Sequence, residues 1–355
     1  MIEVNAKIKG IKYTPLLCRE LETFKIKDIE SALKKSVTFI LEIDPINSIA
    51  LSWWVSPKRT RSYPYPRVYD SFKFGGKKVT IIPILKDEGI EGDRDYLQWD
   101  TVALMSLLGV YVIIGYYDKA EPSKHYKNKI TKQDYNIGYI TKKIKSLMSY
   151  HSDALHWNVK QLEESPVILK LALNSYKSIS SRLGIKMHSS KGVEARIERL
   201  REDAAKSLSR TLAKSAQERE VKTIQPKEDV TGEKAALNIT NFLGGEYHFT
   251  ADEIRLKGDY VEIVEAKTGN GSLPGEGDIK DGLIKMILFT NMQDAEINGK
   301  KYKVLPVLKL TANLDGKLSD SQKIFLNKLK EEAKINGFKL DIRMRSKKPK
   351  YLEIN

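Results

Sequence analysis

Three charged residues in the carboxyl-terminal third of the sequence have the types and spacing for phosphate chemistry. Asp252 lies in one predicted strand, and Glu265 and Lys267 lie at the end of the next. A two-residue turn at Gly258-Asp259 would place Asp252 opposite Glu265. Lys267 would share their face of the sheet, because side chains alternate along a strand. Like charges directly opposite each other destabilise a sheet, so this pair predicts a bound cation.

Two carboxylates whose β-carbons lie about 5 Å apart could hold one Mg²⁺, which prefers oxygen ligands and commonly binds phosphate as well. The ion would polarise a phosphoryl group and lower the pKa of bound water. Lys267 would contact a phosphate oxygen or orient the attacking water. The alternative is a solvated ion cluster at a sheet edge. A register shift of one residue would turn the three side chains to the opposite face, so the prediction depends on the turn.

The stretch ADEIRLKGDYVEIVEAK at 251–267 resembles the signature of the PD-(D/E)XK nuclease superfamily, which has the restriction-endonuclease-like fold. The family pattern is an Asp at the start of one strand and Glu-X-Lys at the end of the next. Asp252 and the triplet Glu265-Ala266-Lys267 match it, whereas Ala251 replaces the proline that usually precedes the aspartate. The resemblance covers roughly residues 232–345, a third of the chain.

The resemblance implies a Mg²⁺-dependent endodeoxyribonuclease, with Mn²⁺ as a substitute, and within the superfamily a type II restriction endonuclease. Asp252 and Glu265 would bind the metal, and Lys267 would activate water and stabilise charge at the phosphate. Double-stranded DNA would be the substrate, and a palindromic target would imply a homodimer. The same fold also serves repair, recombination and RNA-directed nucleases, and DNA-binding proteins with a vestigial site, so these functions stay open.

Residues around the signature extend the predicted site. Glu233 matches the catalytic glutamate that the family commonly places on the preceding helix, and it is equally an ordinary acid in a first helical turn. The helix predicted after the signature, GEGDIKDGLIKMILFTNM, carries Lys280 and Lys285. These two lysines either contact the DNA backbone or lie on the polar outer face of the helix.

The segment 52–78 interleaves lysine and arginine with aromatic residues, which suits contacts with phosphates and stacking on unpaired bases. Its prolines at 57, 64 and 66 favour an extended, non-helical path. We predict a nucleic-acid contact surface here; the alternative is an aromatic core edge with surface cations. The candidate DNA contacts are Lys58, Arg59, Arg61 and Arg67.

Acidic residues concentrate at 86–101, where Asp93, Asp95 and Asp100 could bind a cation. Their spacing is not that of a calcium loop, which needs regular oxygen ligands and a closing glutamate. The pattern therefore favours an acidic turn next to the start of a helix.

The periodicities of the 355-residue chain predict an α/β protein in several parts. Residues 1–137 form an amino-terminal α/β domain that could recognise DNA, and 138–220 form a helical segment. Residues 221–231, which contain proline and glycine, form a linker. Residues 232–355 form the nuclease domain, a restriction-endonuclease-like core with a mixed sheet flanked by helices. The net charge of +15 favours association with polyanions.

Cysteine content and hydropathy bear on the cellular compartment. The single cysteine, Cys18, excludes an intramolecular disulfide and a cysteine-based zinc site, which fits a reducing compartment. The first residues carry no signal-peptide pattern, and the apolar run at 102–117 is too short to span a bilayer comfortably. We expect a cytoplasmic protein without a membrane partner.

Overall fold

A computed structural model of the chain describes residues 2–61, 63–208, 233–243, 245–269, 273–312 and 318–344. The chain divides into two compact units. The discontinuous unit comprises Met1–Arg19 and Lys206–Asn355, and the continuous unit comprises Glu20–Ala205. Both units combine sheets with helices, which confirms the predicted α/β class. Within the described residues, no helix is long and apolar enough to cross a membrane.

The elements are numbered in chain order. The strands are β1 (Ile2–Ile8), β2 (Thr23–Lys25), β3 (Thr38–Glu42), β4 (Ser48–Trp53), β5 (Lys78–Pro83), β6 (Leu85–Asp87), β7 (Arg94–Tyr96), β8 (Val110–Gly115), β9 (Tyr117–Pro122), β10 (Ile130–Tyr135), β11 (Glu233–Asn241), β12 (Glu246–Lys257), β13 (Tyr260–Thr268), β14 (Gln293–Ile297), β15 (Lys300–Ala312) and β16 (Lys339–Met344). The helices are α1 (Ile29–Lys35), α2 (Pro64–Tyr69), α3 (Trp99–Leu107), α4 (Ile137–Met148), α5 (Ala154–Glu163), α6 (Ser165–Leu183), α7 (Val193–Leu208), α8 (Glu276–Phe289) and α9 (Asp320–Asn336).

The continuous unit is built on a sheet of strand order β2-β3-β4-β5-β8. β4, β5 and β8 are parallel, and their runs of Ile, Val and Leu are buried along most of their length, as expected for a parallel sheet that is covered on both faces. Helices α1 and α4 and the aromatic ring of Trp157 from α5 contribute to the same core.

The segment 52–78 does not follow the extended path that its prolines predict. Pro64 opens helix α2, a position where the missing proline N–H would have no intrahelical partner in any case. Trp54 and Tyr69 are 0% exposed and Tyr65 is 6% exposed. Because buried rings cannot stack on bases, these aromatic residues form a core edge, the alternative interpretation of the sequence.

The discontinuous unit contains a sheet whose pairings close into a ring. The order runs β13-β12-β11-β1-β14-β15, and β15 pairs in addition with β13 and β16. The pairings β13–β15 and β15–β16 are parallel, and helices α8 and α9 provide the two connections. Ser319 caps α9 and Gly337, with a φ of 72°, ends it, as the sequence predicts.

The helix predicted to begin at Glu233 is a strand, and this prediction is wrong. Leu237 and Ile239 are buried core residues, and Asn238 between them is only partly buried, which is the period-two pattern of a strand. β11 pairs on one side with β1 and on the other with β12. Ala235 and Ala236 favour a helix in isolation. They adopt a strand here because β11 forms backbone hydrogen bonds with a neighbouring strand on each side.

The compact units do not coincide with the predicted domain boundaries. β1 pairs in parallel with β11 over seven residue pairs, so the first residues of the chain belong with its carboxyl-terminal part. The helical segment predicted at 138–220 belongs, as far as residue 205, to the same unit as the preceding α/β region. The linker predicted at 221–231 lies outside the described residues.

Candidate active site

The β12–β13 hairpin has the register that the sequence predicts. Gly258 has a φ of 59°, a conformation that glycine adopts without steric cost at a tight hairpin turn. Ile254 pairs with Ile263, and further pairs follow toward the turn. The regular ladder ends at Glu253 and Val264, one pair short of the predicted pairing of the two acids.

Asp252 nevertheless reaches the segment that carries the other two signature residues. Its Oδ2 accepts a hydrogen bond of 2.8 Å from the backbone N–H of Ala266, the residue between Glu265 and Lys267. Asp252 lies in the interior of β12, which begins six residues earlier, and not at the start of a strand as the signature suggests. Its side chain is half-buried. The Asp252 carboxylate therefore lies next to the segment that carries Glu265 and Lys267.

Glu265 is a buried carboxylate held between two lysines. Its residue is 1% exposed. Lys267 Nζ lies 2.9 Å from Oε1, and Lys285 Nζ lies 2.8 Å from Oε2. Lys285 also donates to the backbone carbonyl of Thr250 in β12 at 3.3 Å. Charge-assisted contacts of this kind offset the desolvation of a buried carboxylate.

Helix α8 supplies the remaining groups of the cluster. Asp281 Oδ2 accepts a hydrogen bond of 2.6 Å from Lys267 Nζ. Gly282, the next residue, allows the helix to lie close to the sheet, because a β-carbon there would be 2.8 Å from Leu308 Cδ1 and 3.4 Å from Lys267 Cγ and Cε. The helix therefore fixes the Lys267 ammonium group between two carboxylates.

The net charge of this cluster suits the binding of a divalent cation, and the cluster with that cation bound would suit an anion. Asp252, Glu265 and Asp281 contribute three negative charges, and Lys267 and Lys285 contribute two positive charges. The sum of −1 would become +1 with one Mg²⁺, which suits a phosphodiester. Within the described ranges, no group of three or more His, Cys, Asp or Glu side chains is arranged to hold a metal ion. A Mg²⁺ ion bound at this cluster would therefore have at most two carboxylate ligands from the described residues, and water and phosphate oxygens would complete its coordination.

The opposite face of the hairpin carries a separate ionic network. Glu253 and Glu262 are each 1% exposed. Arg255 Nε lies 2.5 Å from Glu253 Oε1, and Lys257 Nζ lies 2.8 Å from Glu262 Oε1. The hydrogen bond to Glu253 holds the pKa of the Arg255 guanidinium above its ordinary value, against the effect of burial. This network neutralises buried acids and lies on the face that points away from Asp252 and Glu265, since side chains alternate along the strands.

The remaining predicted residues of the discontinuous unit lie as follows. Glu233 is the first residue of β11, opposite Ile254, and the position of its carboxylate lies outside the described residues. Lys280 on α8 is 3% exposed and pairs with Glu276 at 2.7 Å. Lys285 belongs to the cluster at Glu265. The roles of Lys280 and Lys285 as DNA contacts stay predictions, and in this structure both ammonium groups lie against carboxylates.

The four candidate DNA contacts of the continuous unit differ in environment. Lys58 is exposed. The Arg59 guanidinium lies 5.0 Å from the ring centre of Tyr65, and Arg67 donates to the Trp53 carbonyl at 2.7 Å. Arg61 contacts Glu88, Asp93 and Asp95, which accounts for two of the acids predicted to form an acidic turn. Their roles as nucleic-acid contacts stay predictions.

The contact between Asp281 and Lys267 is the part of the cluster that the sequence interpretation missed. Asp281 and Lys285 are four residues apart, so they lie on one side of α8. A helix that connects two parallel strands packs back onto the sheet it leaves. The two observations together would have placed both side chains over the end of β13.

Substituting Gly282 by alanine tests the close approach of α8. Overpacking costs about 1–3 kcal/mol, and alanine regains about 1 kcal/mol of helix propensity, so we expect a net loss of about 1 kcal/mol in the free energy of unfolding. Displacement of Asp281 and Lys267 should lower any cleavage rate by about tenfold or more. Gly138→Ala is the matched control, because a β-carbon in helix α4 meets only Asn136 Oδ1 at 3.6 Å. Equal effects of the two substitutions in urea denaturation and in cleavage would contradict the prediction.

Comparisons of the chain with models of protein families, with curated proteins and with solved structures find no match. The functional assignment therefore depends on the residues and geometry of the cluster.

Proposed function

We propose that the protein is a Mg²⁺-dependent endodeoxyribonuclease. One observation carries the proposal: the Asp252 carboxylate binds the amide between Glu265 and Lys267, while Lys267 contacts both Glu265 and Asp281. Two carboxylates and one oriented ammonium group on adjacent strands are the groups that hydrolysis of a phosphodiester requires.

Asp252 and Glu265 would hold the metal ion. When bound, the ion would act as a Lewis acid toward the phosphate and would lower the pKa of a bound water. To bind the metal, one Glu265 oxygen would give up its contact with a lysine. The released ammonium group could then turn toward the negatively charged phosphate of the substrate. Lys285 is suited to this exchange, since it also has the Thr250 carbonyl as a partner.

Lys267 would contact the scissile phosphate or orient the attacking water. The Lys267 side chain is 14% exposed, and two carboxylates restrict the position of its ammonium group. Asp281 would act as a positioning residue, because it contacts Lys267 and no reacting atom in this arrangement. A fixed amine loses less conformational entropy on substrate binding than a free one.

The order of elements supports the nuclease interpretation. Three antiparallel-connected strands, β11, β12 and β13, lead through α8 to the parallel strand β15 and through α9 to β16. This order agrees with a restriction-endonuclease-like core, although β1 and β14 are additional strands. The net charge of +15 favours double-stranded DNA as substrate. Within this class we propose a type II restriction endonuclease acting as a homodimer.

Incubation of the full chain with supercoiled plasmid and Mg²⁺ tests the proposal. We expect cleavage that EDTA abolishes. Discrete fragments would support sequence-specific restriction, whereas smearing or nicking would indicate a repair or recombination nuclease of the same fold. Absence of cleavage on double-stranded DNA, single-stranded DNA and RNA with either Mg²⁺ or Mn²⁺ would overturn the proposed activity and favour a DNA-binding protein.

Substituting Lys267 by alanine distinguishes a nuclease from a binding protein. We expect the cleavage rate to fall by about 10²–10⁴-fold, the usual contribution of one positioned catalytic group. DNA binding measured in Ca²⁺ should be retained. The control is Lys301→Ala, an exposed lysine in β15 of the same unit. Equal cleavage by both variants would remove Lys267 from the proposed site.

A further inference from the structure

The continuous unit contains a cavity of about 520 Å³. It lies where the parallel strands of the sheet end: Trp53 is the last residue of β4, Lys86 follows β5, and Tyr117 follows β8. Open α/β sheets bind ligands in the crevice outside the carboxyl ends of their strands. The volume lies within the range of about 300–1,000 Å³ that is usual for small-molecule sites.

One wall of the cavity is aromatic and rigid. Tyr117 and Tyr135 are buried, and their ring centres are 4.5 Å apart. Both hydroxyl groups donate to the backbone, Tyr135 to the Trp54 carbonyl at 2.6 Å and Tyr117 to the Val55 carbonyl at 2.9 Å. Trp53, which is only partly buried, packs edge-on against Tyr135. The buried Tyr135 ring thus holds Trp53 in place, and the accessible part of the Trp53 ring forms a platform for a planar ligand.

A second wall places two lysines around one carboxylate. Lys86 Nζ lies 2.9 Å and Lys129 Nζ lies 3.3 Å from Glu88. Arg61, also 2.9 Å from Glu88, shares its charge with Asp93 and Asp95. These contacts hold the pKa of Glu88 below its ordinary value although burial acts to raise it, so the carboxylate stays charged and the lysines stay oriented. The side chain of Lys86 is 11% exposed, which reduces the solvation that a ligand anion must displace.

The charges of the residues that line the cavity limit the number of negative charges that a ligand can carry. Among the described residues that line the cavity, four are lysines and three are acids. The net charge of +1 suits a ligand with one phosphate better than a triphosphate. A purely apolar ligand would offer Lys86 and Lys129 no hydrogen-bond acceptor in place of the water it displaces, and would leave them with Glu88 alone.

We infer that this cavity binds a nucleotide, with the phosphate against Lys86 and Lys129 and the base against Trp53. The nucleotide is either a free monophosphate or a single residue of a nucleic-acid strand that enters the cavity. The chemistry of recognition is the same for both, and the site is independent of the cluster at Glu265.

Isothermal titration calorimetry on the full chain tests the inference. The probes are AMP, GMP, CMP and dTMP, the corresponding nucleosides, and a short single-stranded oligonucleotide. We expect at least one monophosphate to bind about tenfold or more tightly than its nucleoside, which corresponds to about 1.4 kcal/mol for the phosphate contacts. Binding of the oligonucleotide alone, weakened by the same substitutions, would identify a strand residue as the ligand.

Lys86→Ala and Lys129→Ala should each weaken binding by about tenfold or more. Each variant leaves Glu88 with Arg61 and the other lysine, so the fold is retained, and a melting temperature within a few degrees of the wild type verifies this. Lys145→Ala, an exposed lysine on α4 outside the cavity, is the control. Lys267→Ala should bind the nucleotide normally, which separates this site from the proposed nuclease activity.

Three results would overturn the inference. The first is that no probe binds at millimolar concentration. The second is that a monophosphate and its nucleoside both bind, and with equal affinity. The third is that Lys86→Ala and Lys129→Ala bind like Lys145→Ala. If either lysine variant fails to fold, Trp53→Leu replaces it, and unchanged binding of every base by that variant would count against the aromatic platform.

Discussion

Substituting Glu265 by glutamine should abolish cleavage and also destabilise the protein. The carboxylate is 1% exposed and contacts the ammonium groups of Lys267 and Lys285 at 2.9 and 2.8 Å. A neutral amide would leave two buried cations without their shared counter-charge, which costs about 3–5 kcal/mol in the free energy of unfolding. The cleavage rate should fall by about 10³-fold or more, because metal-ion catalysis contributes several kcal/mol and each 1.4 kcal/mol is a factor of ten.

Asp252→Asn separates the catalytic from the structural contribution of a carboxylate. Asparagine keeps an oxygen that can accept the hydrogen bond from Ala266, so the free energy of unfolding should change by less than about 1.5 kcal/mol, the value of one ordinary hydrogen bond. Cleavage should be lost as in Glu265→Gln, because the metal loses one charged ligand. The matched control is Asp259→Asn at the exposed turn of the same hairpin.

A double substitution distinguishes loss of a metal ligand from loss of an ion pair. Glu265→Gln with Lys285→Met removes one of the two ammonium groups that share the Glu265 carboxylate, and we expect it to regain part of the lost stability in urea denaturation. Cleavage should stay absent. Recovery of cleavage together with stability would show that Glu265 serves only as a counter-ion, and the proposed metal site would then be wrong.

The register of the hairpin is the part of the site that local sequence determines most fully. Glycine and aspartate at 258–259 specify a tight turn, and β-branched residues on both sides specify the strands. These two signals fix which side chains share a face, so the proximity of Asp252, Glu265 and Lys267 could be predicted. The same argument was available at Asn298-Gly299, where both residues have a positive φ and join β14 to β15, and that hairpin was missed.

The errors occurred where pairing over long sequence distances decides the structure. Ile2–Ile8 pairs with residues 235–241, and no local property of the first residues predicts that partner. Once β1 is in place, β11 lies between two strands, and its Ala235 and Ala236 adopt a strand although they favour helices in isolation. The missing strand β1 and the wrong helix at Glu233 are therefore one error.

The aromatic residues of segment 52–78 show why composition is a weak guide to exposure. Lysine, arginine and aromatic residues in alternation fit both a nucleic-acid surface and a core edge. Burial assigns Trp54, Tyr65 and Tyr69 to the core edge, whereas Tyr63 is 59% exposed and Trp53 is only partly buried, so a nucleic-acid surface stays a prediction for the rest of the segment. Arg67 donates to a backbone carbonyl, and Arg61 neutralises acids that are distant in sequence. Side-chain partners of this kind depend on the tertiary fold and are invisible to local periodicity.

Glu332 on α9 ties the amino-terminal segment to the carboxyl-terminal part of the discontinuous unit, and its substitution is the second change with a large expected effect. The residue is 0% exposed. Its carboxylate accepts hydrogen bonds from the Tyr13 hydroxyl at 2.7 Å and from the backbone N–H groups of Leu16 and Leu17 at 2.8 and 3.2 Å. Burial and the adjacent carboxylate raise the pKa of Tyr13 well above its ordinary value, so its hydroxyl remains a donor at all physiological pH values.

Glu332→Ala should therefore lower the free energy of unfolding by about 4.5 kcal/mol or more, because hydrogen bonds to a charged group contribute about 1.5–3 kcal/mol each and three donors lose their acceptor. Glu332→Gln, which keeps one acceptor oxygen, should lose less. The control is Glu331→Ala, the exposed neighbour on the same helix, which we expect to lie within about 0.5 kcal/mol of the wild type. The measurements are urea denaturation and hydrogen exchange at the amides of Leu16 and Leu17. If Glu332→Ala unfolds at the same urea concentration as Glu331→Ala, the segment is held by other contacts, and the attachment of the β1 region to α9 through Glu332 must be abandoned.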